Sequence, residues 1–444
     1  MNKSEEMIFY HQEAITDAWL EEQSKKYRSN AENKDIEEKL SQNPISEVTF
    51  IERKAQDHPF RFSVELDTMS AVSQGDAGRC WIVAGLNLLR EYGRKQMPDL
   101  EGELQLSADY VSFYDKLEKA NCFLEKMIVL CREPYDERLA SWLRYGITDG
   151  GFWVNFKDLV EKYGVVPAEV MPGTYQSECT EEMNNRLNLY LRKIAAKIRK
   201  CSAEGCREVE LRRIKEEAMD KVYTFLCRCY GSPANKFVFQ HVEYTPLSFF
   251  QAIIGDYAEE FVNVISLDCT KMPFGKGCVL TDIYGVIGGE EEVYLNLPLA
   301  EMKSKCIRQL QQGIPILCVA DDDKMCVESM QLWDDHSFDI LGVTGFDVEM
   351  DRTDIFQMKA GFPGHAWLIT GVNVLEDGTV DQWKIENSYN LDSLHQGYCI
   401  CSDSWFDRFV YSVLLHKSVL PEYQETLADE STTLSNAFQL WDIM

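Results

Sequence analysis

A cysteine at the start of a predicted helix is the residue of this chain best suited to nucleophilic chemistry. Cys80 stands in the segment QGDAGRCW, which occupies residues 74–81 and contains two glycines. Apolar residues such as Ile82 and Leu86 follow at helical spacing, which predicts a helix that begins just after Gly78. The dipole and the unpaired N–H groups of a first helical turn favour the thiolate, which is the reactive form of cysteine.

A glutamine on the same loop is placed to stabilise a developing negative charge. Gln74 lies six residues before Cys80. We expect its side-chain amide and the backbone N–H of Cys80 to form an oxyanion hole.

A thiolate catalyst also needs a base and a group that orients the base. Of the seven histidines, His365 alone follows a Gly-Phe-Pro-Gly turn and opens a predicted strand, and the next predicted strand ends at Asn387. The residues Glu-Asp-Gly at 376–378 read as the hairpin turn between these strands, so antiparallel pairing brings His365 close to Asn387. An Asn amide oxygen can accept an imidazole N–H and fix the tautomer of the base. A histidine at a strand start is more often structural, but the combination with Cys80, Asn387 and Gln74 favours catalysis.

The rest of the chain reads as a helical part followed by a part rich in strands. Residues 1–65 are polar and helical in pattern, and residues 181–230 form a long amphipathic helical pattern. Strand patterns begin at about residue 314 and continue to residue 415. We therefore predict an α+β fold.

Composition restricts the function classes. The 444 residues are 45% hydrophobic and 27% charged, as in a folded globular protein, and the net charge of −28 argues against nucleic-acid binding. We find no apolar run long enough for a membrane span, and the polar, acidic start of the chain, residues 1–11, does not resemble a secretory signal. We expect a cytoplasmic protein that does not associate with membranes.

The fifteen cysteines are read as reduced thiols, because the chain shows no export signal. Two Cys-x-Cys pairs, at 227–229 and 399–401, lack a second Cys or His pair at the spacing of a zinc site. We predict neither a metal site nor a cofactor.

The motifs around these residues resemble those of the papain superfamily. The resemblance rests on Gln74 followed by Cys80-Trp81, on Gly-His365-Ala and on Glu-Asn387-Ser. In papain-like enzymes the histidine follows the cysteine by about 130–150 residues, whereas here the gap is 285 residues (365 − 80), so roughly 140 residues are inserted. The insertion and the form Gly-Arg-Cys-Trp make the chain resemble the bleomycin hydrolase and aminopeptidase C family. Further matching stretches are DGGFW at 149–153, VEKYGV at 160–165, YLNLP at 294–298 and WD at 441–442.

The resemblance implies a papain-like core with a helical half, an antiparallel β half and a large helical insertion. On this basis we divide the chain into five parts: an N-terminal helical arm (1–65), the helical half with the nucleophile (66–172), an inserted helical oligomerisation subdomain (173–300), the β half with His and Asn (301–420) and a C-terminal arm toward the active site (421–444).

The resemblance also implies an activity. Members of the family trim amino acids from peptide N-termini, can cleave small amides, and assemble as homohexameric rings whose active sites face an inner chamber. The expected partners are peptide substrates and further copies of this chain. The catalytic positions would be Cys80, His365, Asn387 and Gln74, and the substrate-binding positions would be Trp81, Gly150, Gly151 and Met444.

The sequence departs from the family pattern in three places. Ser73 and Ala77 replace Asn and Ser beside the loop of Cys80, and Tyr389-Asn390 stands where the pattern has Trp-Gly. The chain ends at Met444, roughly four residues before the usual end, a length of up to about 13 Å when extended. We therefore expect a more open cleft and longer peptide products than single residues.

Three other functions remain open at this stage. The protein could be an amidase of small compounds that uses the same chemistry. It could be a non-catalytic ring that binds peptides or partner proteins, or a nucleic-acid-binding protein, which its charge disfavours.

Overall fold

A computed structural model describes residues 13–429 and 436–439, apart from residues 101 and 282. The chain divides into two compact units. One joins residues up to Gln56 to His336–Glu349, and the other joins Asp57–Asp335 to the residues from Met350 onward.

In chain order the described helices are α1 Asp17–Ser29, α2 Ala31–Leu40, α3 Ile45–Thr49, α4 Glu52–Ala55, α5 Cys80–Gln96, α6 Ala108–Val129, α7 Glu137–Tyr145, α8 Trp153–Tyr163, α9 Tyr175–Glu178, α10 Glu181–Ala203, α11 Glu208–Tyr230, α12 Pro246–Ile253, α13 Leu299–Gln311, α14 Ile340–Thr344, α15 Arg352–Gln357, α16 Asp403–Phe409 and α17 Gln424–Ala428. None of them has the length and apolar character that a membrane span requires.

The described strands are β1 Val64–Glu65, β2 Phe237–Phe239, β3 Val242–Tyr244, β4 Phe261–Ile265, β5 Lys276–Thr281, β6 Glu292–Asn296, β7 Ile316–Ala320, β8 Cys326–Val327, β9 Leu332–Trp333, β10 His365–Val374, β11 Val380–Glu386, β12 Tyr398–Ser402, β13 Val410–His416 and β14 Ala437–Gln439.

The smaller unit contains α1–α4 and α14. Its two chain segments join where Phe50 pairs with Phe338 in an antiparallel bridge and Ile51 donates its N–H to the carbonyl of Ser337 at 2.9 Å. The rings of Phe50 and Phe338 lie 6.1 Å apart and cover this joint.

The described residues of the larger unit contain a mostly antiparallel sheet of twelve strands, with the order β14-β5-β6-β4-β13-β7-β10-β11-β12-β9-β8 and with β1 on β10. Strands β2 and β3 form a separate two-stranded sheet. The predicted strands at 314–319, 366–372, 383–386 and 409–415 correspond to β7, β10, β11 and β13. Helices and a mostly antiparallel sheet together give the α+β fold that the sequence predicted.

Strand β10 has both faces buried and joins two apolar cores. Ala366 and Leu368 pack in the core of the helical half, which also contains Cys80. Trp367 and Ile369 pack in the core on the other face of the sheet. Because successive side chains of a strand point to opposite faces, β10 packs into both cores at once. One of these cores also contains Cys80, so the strand is packed against the start of α5.

The placement of the first strands of the sheet differs from the sequence prediction. The sequence predicts strands only from about residue 314, but β4, β5 and β6 occupy residues 261–296. These are runs of five or six residues buried among other strands, and periodicity alone does not distinguish such short apolar runs from helix. The boundaries of the five proposed parts of the chain stay a prediction.

The long helical pattern at 181–230 is two helices, α10 and α11, joined by a tight turn with Gly205 at φ 88°. The turn brings Cys201 and Cys206 together, with their Cα atoms 5.3 Å apart, and they form a disulfide. The expectation that all cysteines are reduced is therefore wrong for this pair. Composition alone could not reveal that this turn joins them.

A buried ion pair connects α5 to the end of β11. Arg90 lies 3.2 Å from Glu386, and both side chains are 1% exposed. Burial raises the pKa of Glu386 to about 7, although the charge of Arg90 and the amide of Asn87 oppose this. The pair fixes the β11 end that carries Asn387 against the helix that carries Cys80.

We predict that Arg90→Met destabilises the protein by about 3–5 kcal/mol, because Glu386 then stays buried without its partner. The free energy of unfolding in urea should be measured at pH 8, where Glu386 is ionised. Arg94→Ala is the matched control on the same helix. Arg94 is itself 42% exposed and lies 3.2 Å from the exposed Asp67 and 4.0 Å from Glu91. Its loss should cost less than about 1 kcal/mol, because solvent screens these contacts. Equal losses in both variants would contradict this account of the ion pair.

Candidate active site

Cys80 is the first residue of α5, as the sequence predicted, and it is 7% exposed. Its Sγ atom accepts the backbone N–H of Ala366 at 3.4 Å. The sulfur therefore lies at a helix N-terminus and against the first residues of β10. Both features supply N–H groups that favour negative charge on sulfur.

A buried arginine holds the loop before the helix. Arg79 donates from Nε to the carbonyl of Gln74 at 2.9 Å and from Nη1 to Asp109 on α6 at 2.8 Å. The backbone carbonyl of Arg79 accepts the N–H groups of Ile82 and Val83, which starts α5. Sequence reasoning quoted this residue as part of a motif but gave it no role.

Gln74 is fixed by contacts at both ends of its amide. Its Nε2 donates to the carbonyl of Ala77 at 2.7 Å, and its Oε1 accepts the hydroxyl of Ser388 at 2.5 Å. The contact at position 77 is made by the backbone, so the alanine found there preserves it. One amide hydrogen of Gln74 remains for another acceptor.

His365 and Asn387 meet as predicted. His365 Nε2 lies 2.8 Å from Asn387 Oδ1, which also accepts the N–H of Ser388 at 2.8 Å. Since Asn387 holds Nε2, the Nδ1 atom is left for Cys80, whose hydrogen bond to the imidazole is one cause of the altered pKa of His365.

The strand register behind this pair differs from the prediction. The midpoint of His365 and Asn387 is residue 376, next to the predicted turn, whereas in the structure Leu368 pairs with Glu386 and Ile369 with Ile385. Continuing this register puts Asn387 level with Trp367, so it reaches His365 diagonally. The two register shifts in the hairpin cancel, because Val374 pairs with Val380 and Ile369 with Ile385, and both pairs have their midpoint at residue 377. The register therefore differs from the prediction because the hairpin is centred at residue 377 rather than at residue 376.

The electrostatics favour a protonated imidazole. Burial alone would lower the pKa of His365, but the hydrogen bond and charge of Cys80, with the charge of Asp322, raise it to about 9. This pairing stabilises the fold fully below the ordinary His pKa of about 6.5, and the contribution is lost as the pH rises through about 9.

Trp81 and Gly151 form one packed contact. Trp81 Nε1 donates to the carbonyl of Asp149 at 2.8 Å. A Cβ atom on Gly151 would lie 2.6 Å from the indole ring, whereas a Cβ atom on Gly150 would meet nothing within 4 Å. The indole thus lies against the backbone at 149–151 and requires glycine at 151.

A half-buried carboxylate fixes the start of this segment. Asp149 pairs with Lys116, accepts from Thr180 at 2.7 Å and Asn184 at 2.8 Å, and receives the N–H of Gly78 at 3.3 Å. Burial opposes its ionisation, but Lys116 and these donors hold the pKa of Asp149 well below its usual value. The segment is thereby joined to the loop of Cys80.

A second lysine on α6, Lys119, also contacts the segment at 149–151. Lys119 Nζ donates to the carbonyl of Gly150 at 2.6 Å and to Asp115 at 2.9 Å, and it lies 5.2 Å from the centre of the Trp81 ring. Burial lowers the pKa of Lys119. No local pattern indicates this long-range role of α6.

The last predicted site residue, Met444, lies outside the described residues. In the predicted arm at 421–444, residues 430–435 and 440–444 lie outside them. The remaining predicted residues all lie in the larger unit.

The comparison with known proteins decides the family. The model of the Peptidase C1-like family matches residues 14–444. The chain belongs to this family.

Curated relatives match over most of their length. The chain is 33% identical to Aminopeptidase C of Lactobacillus delbrueckii subsp. lactis over 394 residues, which is 86% of this chain and 87% of that protein. It is 30% identical to Aminopeptidase C of Listeria monocytogenes over 446 residues, which is 98% of this chain and 99% of that protein. The resemblance to the bleomycin hydrolase and aminopeptidase C family is confirmed, and so is the prediction of a cysteine aminopeptidase.

A solved structure matches the whole fold. The crystal structure of PepW from Lactobacillus rhamnosus HN001 superposes with a TM-score of 0.91 at 28% identity, over 97% of this chain and 98% of that chain. The prediction of a papain-like α+β fold is confirmed.

We predict that Gly151→Ala destabilises the protein by about 1–3 kcal/mol, because the methyl group overlaps the Trp81 ring. Gly150→Ala is the matched control and should change the free energy of unfolding by less than about 1 kcal/mol. Chemical denaturation of both variants checks this. If Gly150→Ala proves the more damaging, the packing described for Trp81 is wrong.

Proposed function

We propose that the protein removes residues from the N-termini of short peptides, with Cys80 as nucleophile, His365 as base, Asn387 as orienting residue and Gln74 in the oxyanion hole. The observation that carries the proposal is the 2.8 Å contact of His365 Nε2 with Asn387 Oδ1. Burial lowers the pKa of this imidazole, but Cys80, Asp322 and Asn387 together raise it to about 9. A thiolate and an imidazolium held together are the reactive form of a thiol peptidase.

Acylation follows from this arrangement. The Cys80 thiolate attacks the substrate carbonyl, and the carbon–sulfur bond forms as the carbonyl π electrons move to oxygen. The Cys80 N–H and the free amide hydrogen of Gln74 stabilise the oxyanion. When the oxyanion collapses, the C–N bond breaks, and the imidazolium of His365 transfers its proton to the departing amine.

Deacylation reverses the roles. Neutral His365 removes a proton from water, and the hydroxide attacks the thioester. The thiolate then leaves as the acid product forms, which restores the ion pair. Throughout the cycle, Asn387 holds the same imidazole nitrogen, so the other nitrogen stays directed at the reacting atoms.

We propose that the backbone of residues 149–151 binds the backbone of the substrate. The carbonyl of Gly150 already accepts a hydrogen bond from the buried Lys119. We therefore assign the pairing with substrate to the backbone of Gly151. Trp81 shapes this edge of the cleft through its contact with Gly151.

The mode of cleavage and the assembly belong to the same proposal. Relatives named Aminopeptidase C favour release of N-terminal residues. We further propose a cytoplasmic homohexameric ring with its active sites toward an inner chamber. Sedimentation velocity separates a ring of six from a monomer of 51.2 kDa.

We predict that Cys80→Ala lowers peptide cleavage by at least about 10³-fold, because the nucleophile is lost. Cys131→Ala is the control, at a free thiol that is partly exposed, and it should keep full activity. The substrate is a short peptide with a free N-terminus, compared with its N-acetylated twin, and products are identified by mass spectrometry.

The outcomes of this experiment separate the candidate functions. Stepwise loss of N-terminal residues from the free peptide alone supports the aminopeptidase. Equal cutting of the acetylated peptide would contradict the N-terminal mode. Full activity of Cys80→Ala would remove Cys80 from the mechanism, and hydrolysis of small amides only would favour an amidase.

A further inference from the structure

The carboxylate of Asp322, which the sequence does not mark as a site residue, lies next to Tyr389, whose aromatic ring is close to His365. The hydroxyl of Tyr389 donates to Oδ2 of Asp322 at 2.9 Å. The carbonyl of Asp322 accepts the indole N–H of Trp333 at 2.8 Å, which fixes this loop. The loop directly follows β7, whose last residue, Ala320, pairs with His365.

Tyr389 connects this carboxylate to the imidazole. Its ring lies 5.3 Å from that of His365, tilted by 46°, and it follows the Asn387-Ser388 pair in sequence. Burial, together with the charge of Asp322, raises the pKa of Tyr389 far above its usual value. The phenol therefore stays a hydrogen-bond donor at every working pH.

We infer that Asp322, acting through Tyr389, is a positioning residue for His365. Its hydrogen bond to the phenol holds the aromatic ring next to the imidazole of His365, and its negative charge favours the imidazolium. The inference rests on the proposed function, because it assigns His365 the role of base. It also gives a physical reason for tyrosine at 389, where the family pattern has tryptophan.

The charged and titratable groups around His365 support this assignment. Cys80 faces the imidazole from α5, and Asp322 faces it from the loop after β7. Asn387 and Tyr389 contact it from the segment after β11, and Cys326 on β8 faces Tyr389. In the described residues, Asp322 is the carboxylate among the main causes that raise the pKa of His365.

The neighbouring Asp323 provides a matched control. It is exposed, while Asp322 is half-buried, and its charge acts on Asp321 and Cys326. Asp322→Asn and Asp323→Asn remove the same charge from adjacent positions. Tyr389→Phe keeps the ring and removes the hydroxyl.

The experiment measures kcat/KM for a peptide with a free N-terminus between about pH 5 and pH 10. In Asp322→Asn, the alkaline limb should move down by about half a pH unit, since solvent screens part of the charge of this side chain. At pH values above the limb, the activity of the variant should then be about threefold below that of the wild type at the same pH. A purely structural role would lower activity equally at all pH values.

Two further variants test the path through the phenol. Tyr389→Phe should show part of the same downward shift, and Asp322→Asn with Tyr389→Phe should shift by less than the sum of the two. Asp323→Asn should leave the limb in place. Thermal unfolding of each variant identifies any that fails to fold, in which case Tyr389→Phe decides the question.

The results distinguish failure of this inference from failure of the proposed function. An unmoved limb in Asp322→Asn and Tyr389→Phe, with cleavage that still depends on Cys80, overturns the inference alone. If the wild type cleaves no peptide, the proposed function fails. The inference is then decided by NMR titration of His365, whose pKa should fall by about half a unit in Asp322→Asn.

Discussion

The site depends on the contact between the start of helix α5 and the start of strand β10. Cys80 is the first residue of the helix and His365 the first residue of the strand, and the sulfur accepts the N–H of Ala366. Because α5 and β10 pack in one apolar core, their relative position is fixed by burial rather than by the polar contacts of the site. Two groups that must exchange a proton are thus held together by elements that cannot easily move apart.

Ion pairs add directional contacts to the position that apolar packing gives to the site. The pairs Arg90–Glu386, Arg79–Asp109 and Lys116–Asp149 each join α5 or α6 to a loop or strand end that carries a site residue. Burying such pairs is costly, so they are weak sources of stability. Their directional contacts fix side-chain geometry, which is what preorganised catalysis requires. The polar network around the site is therefore interpreted as a positioning device rather than as a source of stability.

Much of the site could be predicted because its signals are local. The helix that begins at Cys80 and the hairpin that brings His365 to Asn387 both follow from periodicity and turn residues. The contact is diagonal because the hairpin is centred at residue 377, and the turn residues alone do not fix that centre. The roles of Lys119 and Asp322 were not predicted either, because each forms its hydrogen bond with a residue more than thirty positions away along the chain. The disulfide at 201–206 was missed for a different reason, since composition argued for reduced thiols.

The central claim is that Cys80 and His365 form an ion pair, and NMR titration of His365 tests it most directly. Labelled histidine gives signals for the seven histidines, and the signal of His365 is the one absent from His365→Ala. In the wild type this signal should titrate at about 9. In Cys80→Ala its pKa should fall to about 6.5 or below, because burial then dominates. A wild-type value at or below about 6.5 that does not respond to loss of Cys80 would contradict the account.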